Sequence, residues 1–317
     1  MIRVQNLTKR YGGFLAVNDI SFEVERGGVI GFLGPNGAGK TTTIRILSCF
    51  MPATSGAANV AGFDVFTESM EVRRRVGYLP ESTPLYPEMR VREYLNFRGK
   101  LRGMDRRQRE TAIKRVAERC WLGEFIDRPI GHLSKGMKQR VGLADAIMHE
   151  PEVLILDEPT IGLDPTQIRE TRGLIHELGQ RHTVLLSSHI LSEVEQVCDR
   201  TIIIASGQIV AHGSPRELRD QFGAQGRVIA EVRASATEVE AGAKTLRGVH
   251  KVDSVASDGW VRIWLDAPPE VDLREDLFRL TTSRGWTLRE LRREGGTLED
   301  FYVKVTAEQA RRMKNSG

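Results

Sequence analysis

Short apolar runs separated by amphipathic stretches mark the first two thirds of the chain. Residues 29–33, 153–156 and 183–186 are almost wholly apolar, as expected of strands that are covered on both faces of a parallel sheet. Apolar residues at helical spacing over 165–180 connect the second run to the third. This alternation predicts an α/β fold built from strand–helix units around a buried parallel sheet.

Shorter patterns predict further strands at the N-terminus. Residues 2–8 and 20–25 alternate apolar and polar side chains, with turns at 11–13 and 18–19 between them and a third short strand at 15–17.

The pattern becomes helical from about residue 90 to 127. This change predicts a small α-helical subdomain, over about 88–150, inserted between strands of the core. Residues 201–211 read as a β-hairpin, and a short helix after Pro215 closes a first domain that we place at 1–222.

The remaining residues, 223–317, predict a second domain of α+β type after a linker at 223–226. The predicted order of elements, βαββαβ, is that of a ferredoxin-like module. The domain contains no motif that we can assign to chemistry. The predicted strands are 227–233, 249–256, 260–266 and 286–292, and the predicted helices are 237–247, 270–283 and 297–311.

Composition adds few constraints to this picture. The 317 residues suffice for two domains, 40% of them are hydrophobic, and the net charge of +4 is too small to indicate nucleic acid as a partner. No apolar run approaches the eighteen residues of a membrane-spanning helix. A basic stretch at 98–119 is either a solvated helical surface or a contact with an anionic partner.

The clearest chemical motif is the stretch 34–42, which fits G-x-x-x-x-G-K-[ST] between an apolar strand and a helical run. Its glycines allow successive backbone N–H groups to face phosphate oxygens at a helix N-terminus. Lys40 can then reach the β- and γ-phosphates, and the Thr41 hydroxyl can bind Mg²⁺. The motif therefore predicts a nucleoside triphosphate site.

Two acidic residues, Asp157 and Glu158, end the apolar strand at 153–156. In a parallel sheet, an acid at that strand end lies on the side where ligands gather. Asp157 is suited to hold Mg²⁺, and Glu158 is suited to polarise the attacking water.

Two more features point to phosphate. Ser134 is a good N-cap for the helical run after it, and Gly136 keeps the backbone open to a phosphate. A second helix N-terminus suited to phosphate implies either a second phosphate or the phosphate that another copy of the chain binds. His189, directly after the strand at 183–188, is either structural or a hydrogen-bond donor to a γ-phosphate.

With these motifs in order, the first 220 residues resemble the ATP-binding subunit of ABC transporters. The matching motifs are the P-loop at 34–41, the signature at 133–137, the strand ending in Glu158, the D-loop at 161–164 and the switch His189. Tyr11 stands where that family has an aromatic residue that stacks on adenine, and simple packing is the alternative.

The resemblance implies an ATPase that forms a head-to-tail homodimer with two ATP molecules between the copies. It further implies a separate integral-membrane permease, attachment to the cytoplasmic face of the membrane, and no nucleic-acid partner. The residues that it implies as nucleotide contacts are Tyr11, Gly34, Pro35, Asn36, Gly37, Ala38, Gly39, Lys40, Thr41, Thr42, Ser134 and Gly136. The catalytic residues that it implies are Lys40, Glu81, Glu158 and His189. The residues that it implies as Mg²⁺ ligands are Thr41, Glu81 and Asp157.

The chain departs from the family pattern at three places. Lys135 and Met137 flank Gly136 where the family has glycine and glutamine, and Ile161 replaces the usual serine of the D-loop. Glu81 stands where most relatives carry glutamine, so a carboxylate there adds like-charge repulsion near Glu158 while remaining able to bind Mg²⁺.

Glu81 together with the signature and the C-terminal extension resembles a bacterial exporter group that includes gliding-motility-associated subunits. The predicted function is therefore the ATPase subunit of an ABC exporter. The alternative is a soluble ABC ATPase of translation or DNA repair. Against that alternative, the chain carries one set of motifs and lacks a long coiled coil or a C-x-x-C pair.

Overall fold

The computed structural model describes residues 1–221, 226–268 and 271–294, together with Tyr302 and Gln309. They form two compact units, the first of which comprises residues 1–214 together with Gln309, while the second begins at Pro215. The linker predicted at 223–226 lies, except for Gly226, outside the described residues. The same holds for the helix predicted at 297–311, except for Tyr302 and Gln309.

The first unit contains ten strands and seven α-helices among the described residues. Its strands are β1 (Ile2–Tyr11), β2 (Phe14–Val24), β3 (Val29–Leu33), β4 (Ser55–Val60), β5 (Phe63–Asp64), β6 (Val76–Leu79), β7 (Val153–Asp157), β8 (Thr183–Ser188), β9 (Arg200–Ala205) and β10 (Gln208–Gly213). Its helices are α1 (Lys40–Leu47), α2 (Ser69–Arg75), α3 (Val91–Leu101), α4 (Arg106–Arg119), α5 (Lys135–Ile147), α6 (Pro165–Gly179) and α7 (Leu191–Val197). No described helix is long and apolar enough to cross a membrane.

A six-stranded sheet, in the order β10–β9–β3–β8–β7–β6, forms the centre of this unit. All of its neighbouring strands are parallel except β10, which pairs antiparallel with β9. Every residue of β3, β7 and β8 is buried, because helices such as α1, α6 and α7 pack against the sheet. The buried parallel sheet predicted from the apolar runs is confirmed.

A second, antiparallel sheet holds the N-terminal strands in the order β2–β1–β4–β5. The turn predicted at 18–19 and the separate strand at 15–17 are wrong, since β2 runs unbroken through both. Asp19 takes a left-handed φ of 52° within the strand, and its N–H donates to the Thr8 hydroxyl at 3.0 Å. An irregularity in the pairing with β1 thus absorbs the polar residues without ending the strand.

Helices α3 and α4 pack on each other and on α5 as the predicted helical subdomain. Much of the basic stretch at 98–119 is ion-paired, which favours the solvated surface among the two interpretations of that stretch. The pairs are Arg98–Asp145, Arg106–Glu110, Arg115–Glu150 and Arg119–Glu177.

The second unit has its own sheet and hydrophobic core. Its elements are α8 (Pro215–Gln221), β11 (Gly226–Arg233), α9 (Ala236–Ala243), β12 (Lys251–Ser257), β13 (Trp260–Ala267), α10 (Arg274–Ser283) and β14 (Thr287–Glu294). The strands are antiparallel in the order β12–β13–β11–β14. After α8 this is the βαββαβ order that the sequence predicted for a ferredoxin-like module.

Candidate nucleotide-binding and catalytic site

Four neighbouring strands of the central sheet end at one edge. Because β3, β8, β7 and β6 are adjacent and parallel, the loops that follow them meet there. They open into a cleft of about 480 Å³. The residues that line this cleft are Tyr11, Phe14, Ala16, Asn36, Gly37, Ala38, Gly39, Lys40, Thr41, Thr42, Glu81, Glu158, Ile161 and His189.

The glycine loop between β3 and α1 has a backbone that only glycine allows. Gly39 has a φ of 106°, and a Cβ atom at this position would lie 2.6 Å from the carbonyl oxygen of Ala16. Directly after it α1 begins at Lys40, so the unpaired N–H groups of the first helical turn face the cleft. This is the geometry that binds phosphate.

Lys40 lies buried at the base of the loop and is 6% exposed. Its Nζ donates to the carbonyl oxygens of Gly34 at 2.6 Å and Pro35 at 3.3 Å, and it lies 3.6 Å from Oε1 of Glu158. Burial lowers the pKa of the Lys40 ammonium, and the Glu158 carboxylate opposes this shift. The ammonium group is therefore held by the loop at the place where the motif requires it to meet phosphate.

Asp157 is almost fully buried at the end of β7. The Ser187 hydroxyl donates to its Oδ1 at 2.5 Å, whereas its buried Oδ2 has no hydrogen-bond partner among the described residues. Burial raises the pKa of the carboxyl, and the Ser187 and Thr41 hydroxyls oppose that rise. A buried carboxylate oxygen without a donor, beside a threonine hydroxyl, suits a hard cation such as Mg²⁺.

The described residues contain no group of three or more His, Cys, Asp or Glu side chains that could hold a metal. Mg²⁺ commonly takes only one or two protein carboxylates and completes its shell with phosphate oxygens and water. The donors at Thr41 and Asp157 fit that mode of binding.

Glu158 and His189 are joined directly. Nδ1 of His189 lies 2.9 Å from Oε2 of Glu158, although the two residues are 31 positions apart in the sequence. Glu158 has a left-handed φ of 50°, a strained conformation for a residue with a side chain. Its N–H donates to the Ser187 hydroxyl at 3.0 Å, so the neighbouring strand holds the strained residue in place.

Tyr11 and Glu81 both lie at the opening of the cleft. Tyr11 is 43% exposed, and its hydroxyl donates to the sulfur of Met51 at 3.0 Å. The structure thus gives this ring both a packing contact and an exposed surface. Phe14, 63% exposed beside it, is a second aromatic that belonged to no motif and to none of the predicted elements.

Ser134 and Gly136 do not line the cleft. Ser134 is the N-cap of α5, as predicted, and its hydroxyl accepts from the N–H of Met137 at 3.2 Å. Gly136 lies in the first turn, where the side chain of Gln167 covers it. The second helix start is therefore built as predicted but stands apart from the glycine loop of the same chain.

The fold and the cleft define a P-loop nucleotide-binding protein, and known proteins show its family. A family model described as ABC transporter matches residues 17–161. The uncharacterized ABC transporter ATP-binding protein YxlF of Bacillus subtilis is 34% identical over 305 residues, which cover 96% of this chain and 99% of YxlF. The chain belongs to the family of ABC transporter ATP-binding proteins.

Two further similarities support the same family. The Nod factor export ATP-binding protein I of Burkholderia lata is 39% identical over 222 residues, 68% of this chain and 72% of that protein. A solved structure of an ATP binding subunit of an ABC transporter matches with a TM-score of 0.65 and 32% identity, covering 70% of this chain and 93% of the other. The chain is an ATPase, the ATP-binding subunit of an ABC transporter.

Proposed function

We propose that this chain works as a homodimer that closes on two ATP molecules and drives export through a separate integral-membrane permease. The observation that carries the proposal is the split of the phosphate-binding elements within one chain. The glycine loop lines the cleft, whereas the N-capped helix start at Ser134 and Gly136 lies outside it. A head-to-tail second copy would bring that helix start to the ATP of the first.

Within each cleft the chain's own side chains divide the work. The first-turn N–H groups of α1 and the Lys40 ammonium bind the phosphates. Glu158 polarises the attacking water, and His189, held against Glu158 at 2.9 Å, donates a hydrogen bond to the γ-phosphate. Tyr11 stacks on the adenine ring at the cleft opening.

Thr41 and Asp157 would hold Mg²⁺, and Glu81 would take part from the loop after β6. When bound, the ion neutralises charge that develops on the transferred phosphoryl group. Glu81 lines the same cleft as Lys40 and Glu158, which supports an influence of its carboxylate on both the ion and the water.

The permease would place this chain at the cytoplasmic face of the membrane as a peripheral subunit. The export named for the Burkholderia relative supports this direction of transport. The second unit, which begins at Pro215, is proposed to regulate the ATPase or to stabilise the dimer.

A pull-down in the native cell tests the proposal. Tagged Glu158→Gln should bind ATP and stay in the closed dimer, because the water-polarising carboxylate is gone while the amide keeps its shape. Membranes are solubilised in mild detergent, and the tagged chain is recovered in ATP. We expect two copies of the chain together with a protein of several membrane spans.

Lys40→Ala in the same experiment is the matched control, since it removes the phosphate contact and should not trap the dimer. Recovery of ribosomes or DNA-bound proteins with no membrane protein would instead support the soluble ABC ATPase of translation or DNA repair.

A further inference from the structure

Glu193 is a buried carboxylate that the proposed reaction does not use. It lies on α7, is 4% exposed, and is not among the residues that line the cleft. Burying a charged side chain is costly unless hydrogen bonds and an ion pair compensate it. Its contacts therefore show what the fold gains by keeping it there.

Three segments of the chain contact this one side chain, two through hydrogen bonds and one through an ion pair. The Thr160 hydroxyl donates to Oε2 at 2.7 Å, and the Ser188 hydroxyl donates to the same oxygen at 3.2 Å. The guanidinium of Arg172 lies 3.5 Å from Oε1. The carboxylate thus bridges the loop after β7, the end of β8 and helix α6.

Two of these partners are close in sequence to the residues proposed for catalysis. Thr160 comes two positions after Glu158, and Ser188 directly precedes His189. The Ser188 hydroxyl also accepts from the N–H of Ile190 at 2.9 Å, so it fixes the turn that carries His189. Glu193 therefore connects, through one hydrogen bond each, the two loops that present Glu158 and His189.

The strain at Glu158 indicates why such a connection is needed. Its left-handed φ of 50° persists only when contacts on both sides hold the backbone. Ser187 holds the N–H of Glu158 on one side, and Glu193 holds the chain on the other side at Thr160.

We propose that Glu193 is a positioning residue that sets the distance between Glu158 and His189. This inference rests on the catalytic roles proposed above for these two residues. A displacement of about 1 Å in a reacting group can cost on the order of 10²-fold in rate. Loss of the bridge should therefore lower kcat while leaving ATP binding, which depends on the glycine loop, unchanged.

The test compares steady-state ATP hydrolysis by the purified full chain with three substitutions. Glu193→Ala removes the bridge and should lower kcat by about 10- to 100-fold with little change in KM. Glu193→Gln keeps an oxygen that accepts from Thr160 and should recover most of the rate. Glu195→Ala, an exposed carboxylate on the same helix, is the matched control and should resemble the unaltered chain.

The double variant of Glu193→Ala with His189→Ala distinguishes a positioning role from a general loss of structure. If Glu193 acts through His189, Glu193→Ala should add little to the loss already caused by His189→Ala, because effects within one catalytic unit are not additive. Thr160→Val removes only the hydroxyl and should lower kcat in the same direction. This variant, with Glu193→Gln, carries the test if Glu193→Ala does not fold in a thermal melt.

Either of two results would overturn the inference: a folded Glu193→Ala with unchanged kcat, or a loss that adds fully to that of His189→Ala. If His189→Ala and Glu158→Gln themselves leave hydrolysis unchanged, the proposed catalytic roles fail, whatever the Glu193 variants do.

Discussion

Glu158 combines three constraints in one residue. It lies 3.6 Å from the Lys40 ammonium and 2.9 Å from the His189 ring, and its backbone is strained. Each contact joins a different loop of the sheet edge, so a shift in any loop changes the surroundings of the carboxylate. Substitutions near it should therefore alter the rate of hydrolysis more than the binding of ATP.

Glu81→Gln tests the most unusual residue of the cleft. Burial raises the pKa of Asp157, and the Glu81 carboxylate adds a smaller rise, as expected of a like charge nearby. The amide is a weaker ligand, so we expect the Mg²⁺ concentration at half-maximal ATPase activity to rise by about 10-fold. Titration of MgCl₂ at saturating ATP measures this.

Glu88→Gln, an exposed carboxylate on the same loop, is the control for that titration and should change nothing. If Glu81→Gln leaves both the rate and the Mg²⁺ dependence as they were, Glu81 has no role in metal binding.

At the scale of the element, the N-terminus of α5 should matter for ATP hydrolysis by the dimer and not for ATP binding by a single chain. A Cβ atom at Gly136 would lie 2.3 Å from the flexible end of Gln167, which can move aside at little cost in stability. The added methyl group would still stand between the helix start and a partner's phosphate. Gly136→Ala should thus lower kcat by about 10-fold or more, with ATP binding to the single chain unchanged.

Gly173→Ala on α6 is the matched control, because its Cβ would meet no atom within 4 Å. It should stabilise its helix by about 1 kcal/mol and leave the ATPase rate intact. Equal loss of activity in both variants, measured by phosphate release, would contradict the special role of Gly136.

The junction between α5 and β7 should make the first unit sensitive to acid. Burial lowers the pKa of His149 to about 3. Its Nε2 accepts from Arg102 at 2.8 Å, and its buried Nδ1 has no hydrogen-bond partner within the part of the chain that the structure describes. The unfolded chain binds the proton first, near the ordinary pKa of about 6.5. The stabilising contribution of neutral His149 is therefore complete above that pH and is lost as pH falls toward 3.

Urea unfolding of the chain at several pH values checks this. His149→Gln should make the free energy of unfolding fall less steeply with decreasing pH, by up to about 1.4 kcal/mol per pH unit. His212→Gln, at an exposed position, should keep the slope of the unaltered chain. Identical slopes for both variants would show that His149 does not titrate in this way.

At the scale of the whole molecule, the nucleotide site belongs to the first unit alone. The residues that line the cleft all lie at or before His189, and the second unit has its own core. Deleting residues 224–317 should therefore leave ATP binding intact while changing dimerisation or the ATPase rate. Nucleotide titration and light scattering measure the two properties, and loss of ATP binding on truncation would contradict the separation.

Local motifs determined much of this protein from the sequence alone. The apolar runs predicted β3, β7 and β8, because a strand buried on both faces needs apolar side chains throughout. The glycine loop was equally clear, since its backbone requires glycine at positions such as Gly39. Such requirements are met by contiguous residues and can be read from them.

The contacts that complete the site came only from the tertiary structure. Ser187 and Glu193 carry no motif, and they matter because β8 lies beside β7 and α7 follows β8. The contact between Glu158 and His189 likewise exists because parallel neighbouring strands end at one edge. Which strands become neighbours depends on packing between residues far apart in the chain, and no local pattern records that choice.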